Sequence, residues 1–403
     1  MLDVNRPGIL IINGGSSSVR FAVYGLQAEP QPMLLGKIDG IGRDRVRLTA
    51  KNLTDNTSFT GHLEKRGHLS VAEQLLMWLE AKINFSEIKA VGHRVVHGMD
   101  MTDAQLVTPV LLAQLQGLVP YDSEHLPLEI AFIKAFLVGY PDMPQIACFD
   151  TAFHQTMPRV ASQLPLPRHY EAQGIRRYGF HGLSCEYLVQ KLRNLEDCAA
   201  ISERVIIAHL GNGASITAVK DGKSIDNTMG FTPSGGIMMG TRSGDLDPGL
   251  VFFLSNNEEL SSEAFYSMIN RESGLLGVST ISSDMRVLLE QESDDDKAAE
   301  AIALFCYQVT KAIGAYCATL GGLDTLIFSG GIGENSPPIR QRICANIGFL
   351  GVEIDQKLNR ENSLNISVET SRVNVLVIPS NEEIIIAQSV LRILNLGNNG
   401  VCS

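Results

Sequence analysis

Two segments about half a chain apart constrain this sequence more than any other feature. Ile11 to Val23 reads IINGGSSSVRFAV, and Ala208 to Val219 reads AHLGNGASITAV. Each begins as an apolar run, breaks at a turn of Gly, Asn and Ser, and restarts with a serine and a β-branched residue: Ser18-Val19 in one, Ser215-Ile216 in the other. Short apolar runs bounded by turn residues are buried strands, so each segment predicts strand, tight turn, strand. Two copies in one chain are what a duplicated domain would leave; two unrelated glycine-rich hairpins are the alternative.

Other runs have the same character: Gly8 to Ile12, Ala90 to Val96, Val205 to His209, Thr325 to Phe328 and Val373 to Ile378. Helical patterns lie between them. The clearest begins after Asp294, Asp295 and Asp296, sets Ile302, Phe305, Val309, Ile313 and Tyr316 on one face, and stops at Gly321-Gly322. Strands interleaved with helices predict an α/β protein. A chain of 403 residues, 44% of them hydrophobic, has apolar material for two domains.

The charge balance narrows function by exclusion. A net charge of −11 gives no general attraction for nucleic acid or anionic lipid, and no local basic patch compensates. The amino terminus, MLDVNRPGILIING, lacks the charged and cleavage regions of a secretory signal, and no uncharged stretch is long enough to cross a bilayer. Seven scattered cysteines without a C-x-x-C argue against a disulfide framework or a zinc site. A cytoplasmic enzyme is the expectation.

Loops of small residues free their backbone N–H groups for phosphate oxygens, and serine hydroxyls add donors. Gly14-Gly15-Ser16-Ser17-Ser18 and Gly211-Asn212-Gly213-Ala214-Ser215 have that character, and neither matches the Walker A pattern. A third glycine-rich segment, Ser329 to Asn335, reads as a loop after a strand, where backbone can approach a flat base. Phosphoryl transfer also needs fixed positive charge and a metal. Arg94 of GHRVVHG, His181 of YGFHG and Arg242 of MMGTRSGDLDP are the candidates; each alone reads more readily as a hydrogen-bonded structural residue, and their joint occurrence favours function. Asp150 and the pair Glu382-Glu383 sit at predicted strand ends, where ligand sites of α/β proteins lie. Helix capping is the plainer reading for Asn381-Glu382-Glu383.

In order along the chain, IINGGSSSVRF, GHRVVHG, FDTAFHQTMP, YGFHG, HLGNGASITAVKDGKSIDNTMGFTP, MMGTRSGDLDPG, SSDMR, FSGGIGENS and IPSNEE resemble the acetate and propionate kinases of the actin/hexokinase/Hsp70-like ATPase superfamily. The resemblance implies two duplicated actin-like (ribonuclease H-like) ATPase domains with a nucleotide cleft between them. They would divide at 1–150 and 151–403, with a helix from about 380 returning to the first. It implies reversible ATP-dependent phosphorylation of a short carboxylate, most simply acetate, by a homodimer. Mg²⁺, or Mn²⁺ in its place, would be held by Asn13 and Glu382. Arg94 would meet the carboxylate, Asp150 orient the site, and His181 and Arg242 stabilise the phosphoryl group. Ser16, Ser18, Arg20, His209, Leu210, Gly211, Asn212 and Gly213 would face the ATP phosphates; Asp284, Met285 and Arg286 the nucleoside; Gly331, Ile332, Gly333, Glu334 and Asn335 the adenine. Val96, Tyr121, Asp122 and Pro233 would line the acyl pocket.

An ionised carboxylate needs no general base, so Asp150 is read as a positioning group. An ATP-binding regulatory protein without transfer would need the glycine loops but not the cations at Arg94 and Arg242. Three departures from the family stand out: Arg20 for a usual Lys, LVPYDSEHL where L-A-P-L-H-N-P-A-N is usual, and Leu183 and Cys185 within FHGLSCEY. An anionic Asp122 facing the acyl pocket would repel acetate and favour a substrate carrying a hydroxyl or amine. Turned away or paired, it would not.

Overall fold

The computed structural model describes residues 6–15, 18–41, 46–63, 70–195 and 203–396. They form two compact units. The first takes the described residues through Ala152, then Gly182–Tyr187 and the C-terminal helix from Asn381; the second takes Phe153–His181 and the described residues of 188–380.

The first unit is built on an eight-stranded sheet. Its strands are β1 (Gly8–Gly14), β2 (Ser18–Gly25), β3 (Pro32–Asp39), β4 (Val46–Asn52), β5 (Ser58–Leu63), β6 (Ile88–Val95), β7 (Gln105–Leu106) and β8 (Gln145–Phe149), in the order β5-β4-β3-β2-β1-β6-β8-β7. Every residue of β1 is buried because both faces of this central strand are covered. Alternate side chains diverge: Leu10 and Ile12 pack with the helices Val71–Lys82 and Leu126–Gly139, while Ile9 and Ile11 pack under the C-terminal helix Glu382–Leu394 through Ile385, Ile386 and Val390. Asn381 starts that helix, its side chain accepting from Ile384 N at 3.2 Å.

The second unit carries β9 (Arg204–Leu210), β10 (Ala214–Lys220), β11 (Lys223–Asn227), β12 (Thr325–Ser329) and β13 (Asn374–Val377), in the order β11-β10-β9-β12-β13. This repeats the β3-β2-β1-β6-β8 part of the first sheet in order and direction. In each, a central strand pairs antiparallel with the next in sequence and parallel with a later one, which pairs parallel in turn with a strand later still. The similar segments are the two central hairpins, β1–β2 and β9–β10, so the duplication is structural. The acidic cluster before the amphipathic stretch is a cap: Asp295 accepts from Lys297 N and Ala298 N, and the helix Asp296–Leu320 ends at Gly321 in the left-handed region with φ 74°. By length and composition this helix could cross a membrane, but Ile302, Phe305, Val309, Ile313 and Tyr316 are all buried in the second unit's core. Ser329–Asn335, read from sequence as a loop, is instead the end of β12 and a short helix, Gly330–Asn335. The Glu334 carboxylate closes it by accepting from Gly330 N and Ser380 N, both at 2.9 Å.

Gly92 of β6 is where the C-terminal helix lies closest, since a Cβ there would meet Ile386 Cγ2 at 2.5 Å and Val390 Cγ2 at 2.9 Å. Gly92→Val should lower the unfolding free energy by about 1–3 kcal/mol through overpacking. Urea unfolding reads this as a lower midpoint at unchanged slope; wild-type stability would contradict that packing.

Candidate active site

In the first unit, Arg94 on β6 is the centre of a polar cluster. Its Nη1 donates to Gly14 O at 2.7 Å, at the end of β1. Its Nη2 donates to Asp150 Oδ2 at 2.5 Å, just past β8, and its Nε lies 3.8 Å from Glu382 Oε2, at the start of the C-terminal helix. Burial opposes the Arg94 charge, but Asp150 and Glu382 outweigh it and hold the guanidinium more firmly protonated than usual. Burial likewise pushes the Asp150 carboxyl up, against the pull of Arg94. Asn13 Nδ2 donates to Glu382 Oε2 at 2.9 Å and to Glu383 Oε1 at 3.0 Å. Glu383 is pushed up by burial and by its neighbour Glu382. Arg20 stands opposite Asn13 in the β1–β2 register, and Ser18 opens β2. Ser16 lies outside the described residues.

Three of the acyl-pocket candidates, Val96, Tyr121 and Asp122, are in the same unit, and Asp122 has a partner. It is a buried turn former, its Oδ1 accepting from Glu124 N at 3.2 Å, His125 N at 3.1 Å and His125 Nδ1 at 2.9 Å. Burial opposes its charge, but the hydrogen bond and charge of His125 prevail and hold the carboxyl below its usual range. The anion is matched locally. Tyr121 faces His97 with ring centroids 6.0 Å apart, and Val96 is buried. Leu183 and Cys185 are buried, Leu183 packing in the core beneath the C-terminal helix.

The sequence reading passed over Glu129. It projects from the helix Leu126–Gly139 onto the end of β6, where Oε2 accepts from Val96 N at 3.0 Å. Burial pushes its carboxyl up to about 8, against the opposing charge of Arg94. The available signal was a lone carboxylate on the face shared by Leu126, Ile130 and Ile133, since an acid at core positions is retained only with a partner or a proton.

The second unit gathers the remaining phosphate-side candidates. His181 sits in the left-handed region at φ 59°, ψ 29°, at the start of the helix Gly182–Arg193, a conformation rare for a residue with a Cβ. Its Nδ1 lies 2.9 Å from Ser215 Oγ, and its ring stands 4.4 Å from that of His209 on β9. The hairpin turn passes beside it: a Cβ on Gly213 would lie 3.1 Å from Arg242 Nη2 and 3.4 Å from His181 Nε2. Arg242 Nη1 donates to Pro233 O at 2.6 Å, and Asn212 O accepts from Gly240 N at 3.0 Å. Gly330, at φ 74°, would place a Cβ 2.7 Å from Leu210 O, and Gly331 N lies near Gly211. The structure thus brings together His181, His209, Leu210 to Gly213, Pro233, Arg242 and the segment Gly331, Ile332, Gly333, Glu334 and Asn335. Asp284 caps the helix Met285–Gln291 and pairs with exposed Arg286 at 2.6 Å, while Met285 is buried.

Among the described residues, no group of three or more His, Cys, Asp or Glu could hold a metal by itself. Oxygen donors at Glu382 and Asn13 fit a hard cation such as Mg²⁺, which takes one or two carboxylates and completes its shell with water and substrate phosphates.

Residues 8–388 match the Acetokinase family. An acetate kinase of Rhodopseudomonas palustris is 42% identical over 395 residues, covering 96% of this chain and 99% of its own length. The crystal structure of a propionate kinase from Francisella tularensis superposes with a TM-score of 0.88 at 37% identity, covering 95% of this chain and 98% of that one. An acetate kinase from Porphyromonas gingivalis gives 0.85 at 34%, covering 96% and 100%. With a match over nearly its whole length and a two-unit α/β fold in common with these enzymes, the chain belongs to the Acetokinase family.

Proposed function

We propose that this enzyme transfers the γ-phosphoryl group of ATP to the carboxylate of acetate, with propionate as the second substrate, and runs the reaction in both directions. The observation that carries this reading is the convergence of Arg242 Nη2 and His181 Nε2 on Gly213, whose missing side chain lets both lie against the turn of the candidate phosphate hairpin. Arg94, anchored by Gly14 O and Asp150, takes the carboxylate of the acceptor. That anion attacks phosphorus directly and needs no base, so Asp150 orients Arg94 and tempers its charge. Repulsion between acceptor and triphosphate is the main barrier to their approach, and fixed guanidinium groups offset it without reorganising.

Ser16, Ser18, Arg20, His209 and Leu210 to Gly213 are assigned to the ATP phosphates, Gly331 to Asn335 to the adenine, and Asp284 and Arg286 to the nucleoside. Glu382 rather than Glu383 is assigned to the cation, with Asn13, because Glu383 is buried with its carboxyl shifted toward the neutral form. A bound Mg²⁺ or Mn²⁺ would neutralise phosphate charge. Val96, Tyr121 and Pro233 are assigned to the methyl group of acetate, with Asp122 supporting the turn that presents Tyr121. Free buried cysteines, five among the described residues, suit a cytoplasmic setting. A homodimer is assigned on the exposed apolar group Leu246, Leu250, Val251, Phe252 and Phe253 of the second unit.

Arg94→Ala and Arg242→Ala should each lower turnover by about two orders of magnitude or more, with the KM for ATP little changed, as when a preorganised charge is removed. A coupled ADP-release assay with acetate measures it, and near-wild-type turnover in either variant would count against these roles. Asp122→His should leave the acetate KM unimproved and lower stability by about 1–3 kcal/mol, because it strips three donors of their acceptor. A lower acetate KM would mean that Asp122 faces the substrate after all. Light scattering at micromolar concentration should report twice the 43.8 kDa chain mass; a monomer would refute the dimer.

A further inference from the structure

Of the buried polar atoms in the first unit that lack a hydrogen-bond partner among the described residues, Arg94 Nε and Glu129 Oε1 lie close to one another. They belong to one cluster, since Arg94 pairs with Asp150 and its charge acts on Glu129. Buried polar atoms are almost always hydrogen-bonded, and Arg94 Nε still has Glu382 Oε2 at 3.8 Å, so the Glu129 oxygen without a partner, beside a guanidinium, is the position open to a polar ligand. Glu129 is the member of the set that no role assigned above employs. Its side chain is 3% exposed, and Val96 N fixes one of its oxygens at 3.0 Å.

We propose that Glu129 is a substrate-binding residue, an uncharged carboxylic acid whose Oε1 hydroxyl donates a hydrogen bond to the carboxylate of the acceptor held at Arg94. The inference rests on reading the Arg94 cluster as the carboxylate site. Oε2 receives the Val96 N–H and so acts as the carbonyl oxygen, which leaves the proton on Oε1, the oxygen without a partner. The charged groups acting on Glu129 are Arg94 from β6, Asp122 from the turn preceding its own helix, and Asp150 from the end of β8. Two of these three are carboxylates. An ionised Glu129 would add a third negative charge where another anion must enter, whereas a neutral acid adds a donor and no repulsion. Apolar burial that keeps a carboxyl neutral at pH 7 makes it usable as such a donor, and burial here moves Glu129 to about 8. The group recognised is the carboxylate itself, so short unsubstituted carboxylates suffice as substrates.

The sign follows. Below pH 8 Glu129 holds its proton and binds; above it the group becomes an anion, and the KM for acetate rises. The folded state also holds a proton that the unfolded chain releases near 4.5, so Glu129 makes stability fall as pH rises from 4.5 to 8.

The test is acetate saturation at saturating ATP and Mg²⁺ from pH 6.5 to 9.5, for wild type, Glu129→Gln and Glu129→Leu. Urea unfolding at pH 5.5 and 8 accompanies it. In the wild type the acetate KM should stay level to about pH 8 and then climb toward tenfold per pH unit, while the KM for ATP does not follow. Glu129→Gln, which keeps a donor but cannot ionise, should abolish the climb and reduce the loss of stability between the two pH values. Glu129→Leu should raise the acetate KM at pH 7 by about tenfold or more. If Glu129→Leu does not fold, the Gln profile decides. A climb that persists in Glu129→Gln, or a wild-type acetate KM in folded Glu129→Leu, would overturn the proposal and leave Glu129 a tether for Val96. Normal acetate turnover with a flat wild-type profile would overturn this inference alone. No acetate-dependent ADP formation in the wild type would remove it together with the functional reading beneath it.

Discussion

A guanidinium taken out of water is tolerated only where carboxylates and carbonyls replace its hydration, and Arg94 meets that demand from three directions. Gly14 O closes β1, Asp150 follows β8, and Glu382 begins the C-terminal helix. Satisfying one buried charge therefore fixes the ends of β1, β6 and β8 and the start of a helix more than two hundred residues later in the chain. Asn13 extends the constraint, because its amide holds both Glu382 and Glu383. The apolar contacts of Ile385, Ile386 and Val390 with the sheet hold the helix down, and the polar contacts set where its first turn stops. Arg94 is thus rigid before any ligand arrives, the condition under which a charge lowers a barrier without reorganising.

The second unit achieves the same end with backbone rather than ion pairs. His181 holds a left-handed conformation, and Gly330 supplies another positive φ beside Leu210 O. Both occur where one element passes directly into the next, His181 before a helix and Gly330 between β12 and a short helix. Such conformations persist only when surrounding structure over-determines them. Ser215, paired with His181, comes from β10 of the same hairpin whose turn lies beside Arg242. One hairpin thereby sets the positions of two candidate phosphate-binding side chains. The equivalent hairpin of the first unit, β1–β2, carries Asn13 and Arg20 at opposed positions, so the duplicated element bears candidate site residues in each unit, with different side chains.

Wherever local physics was enough, the elements were legible before the structure. The helix Asp296–Leu320 begins at an Asp and ends at a Gly, and its buried face is the predicted one, because capping and periodicity act within a few residues. Asn381 caps as its plain reading required, and its neighbour Glu382 also reaches Arg94. The segment Gly330–Asn335 failed as a loop for an identifiable reason. Six residues with three glycines carry neither helical periodicity nor propensity, and the carboxylate that closes the turn also binds Ser380 N, 46 positions away. Asp122 is a different case. Comparison with a family pattern exposed an odd charge, and the partner that neutralises it, His125, is three residues on and could have been found as an Asp turn.

Read alone, the sequence determined the fold class, the central strands, the long capped helix and the residue types that phosphoryl transfer demands, and it raised the duplicated hairpin as one of two readings. All of these follow from spacing, side-chain volume and backbone preference within short windows. Tertiary structure alone decided which partners the other ionisable groups meet: Asp150 bound to Arg94, Glu383 buried beside Glu382, and Glu129 beneath β6 with one oxygen unmatched. The physical reason is that desolvation and charge pairing depend on which atoms lie within a few ångströms, whatever their separation along the chain. Asn13 and Glu382 are 369 positions apart and 2.9 Å from each other.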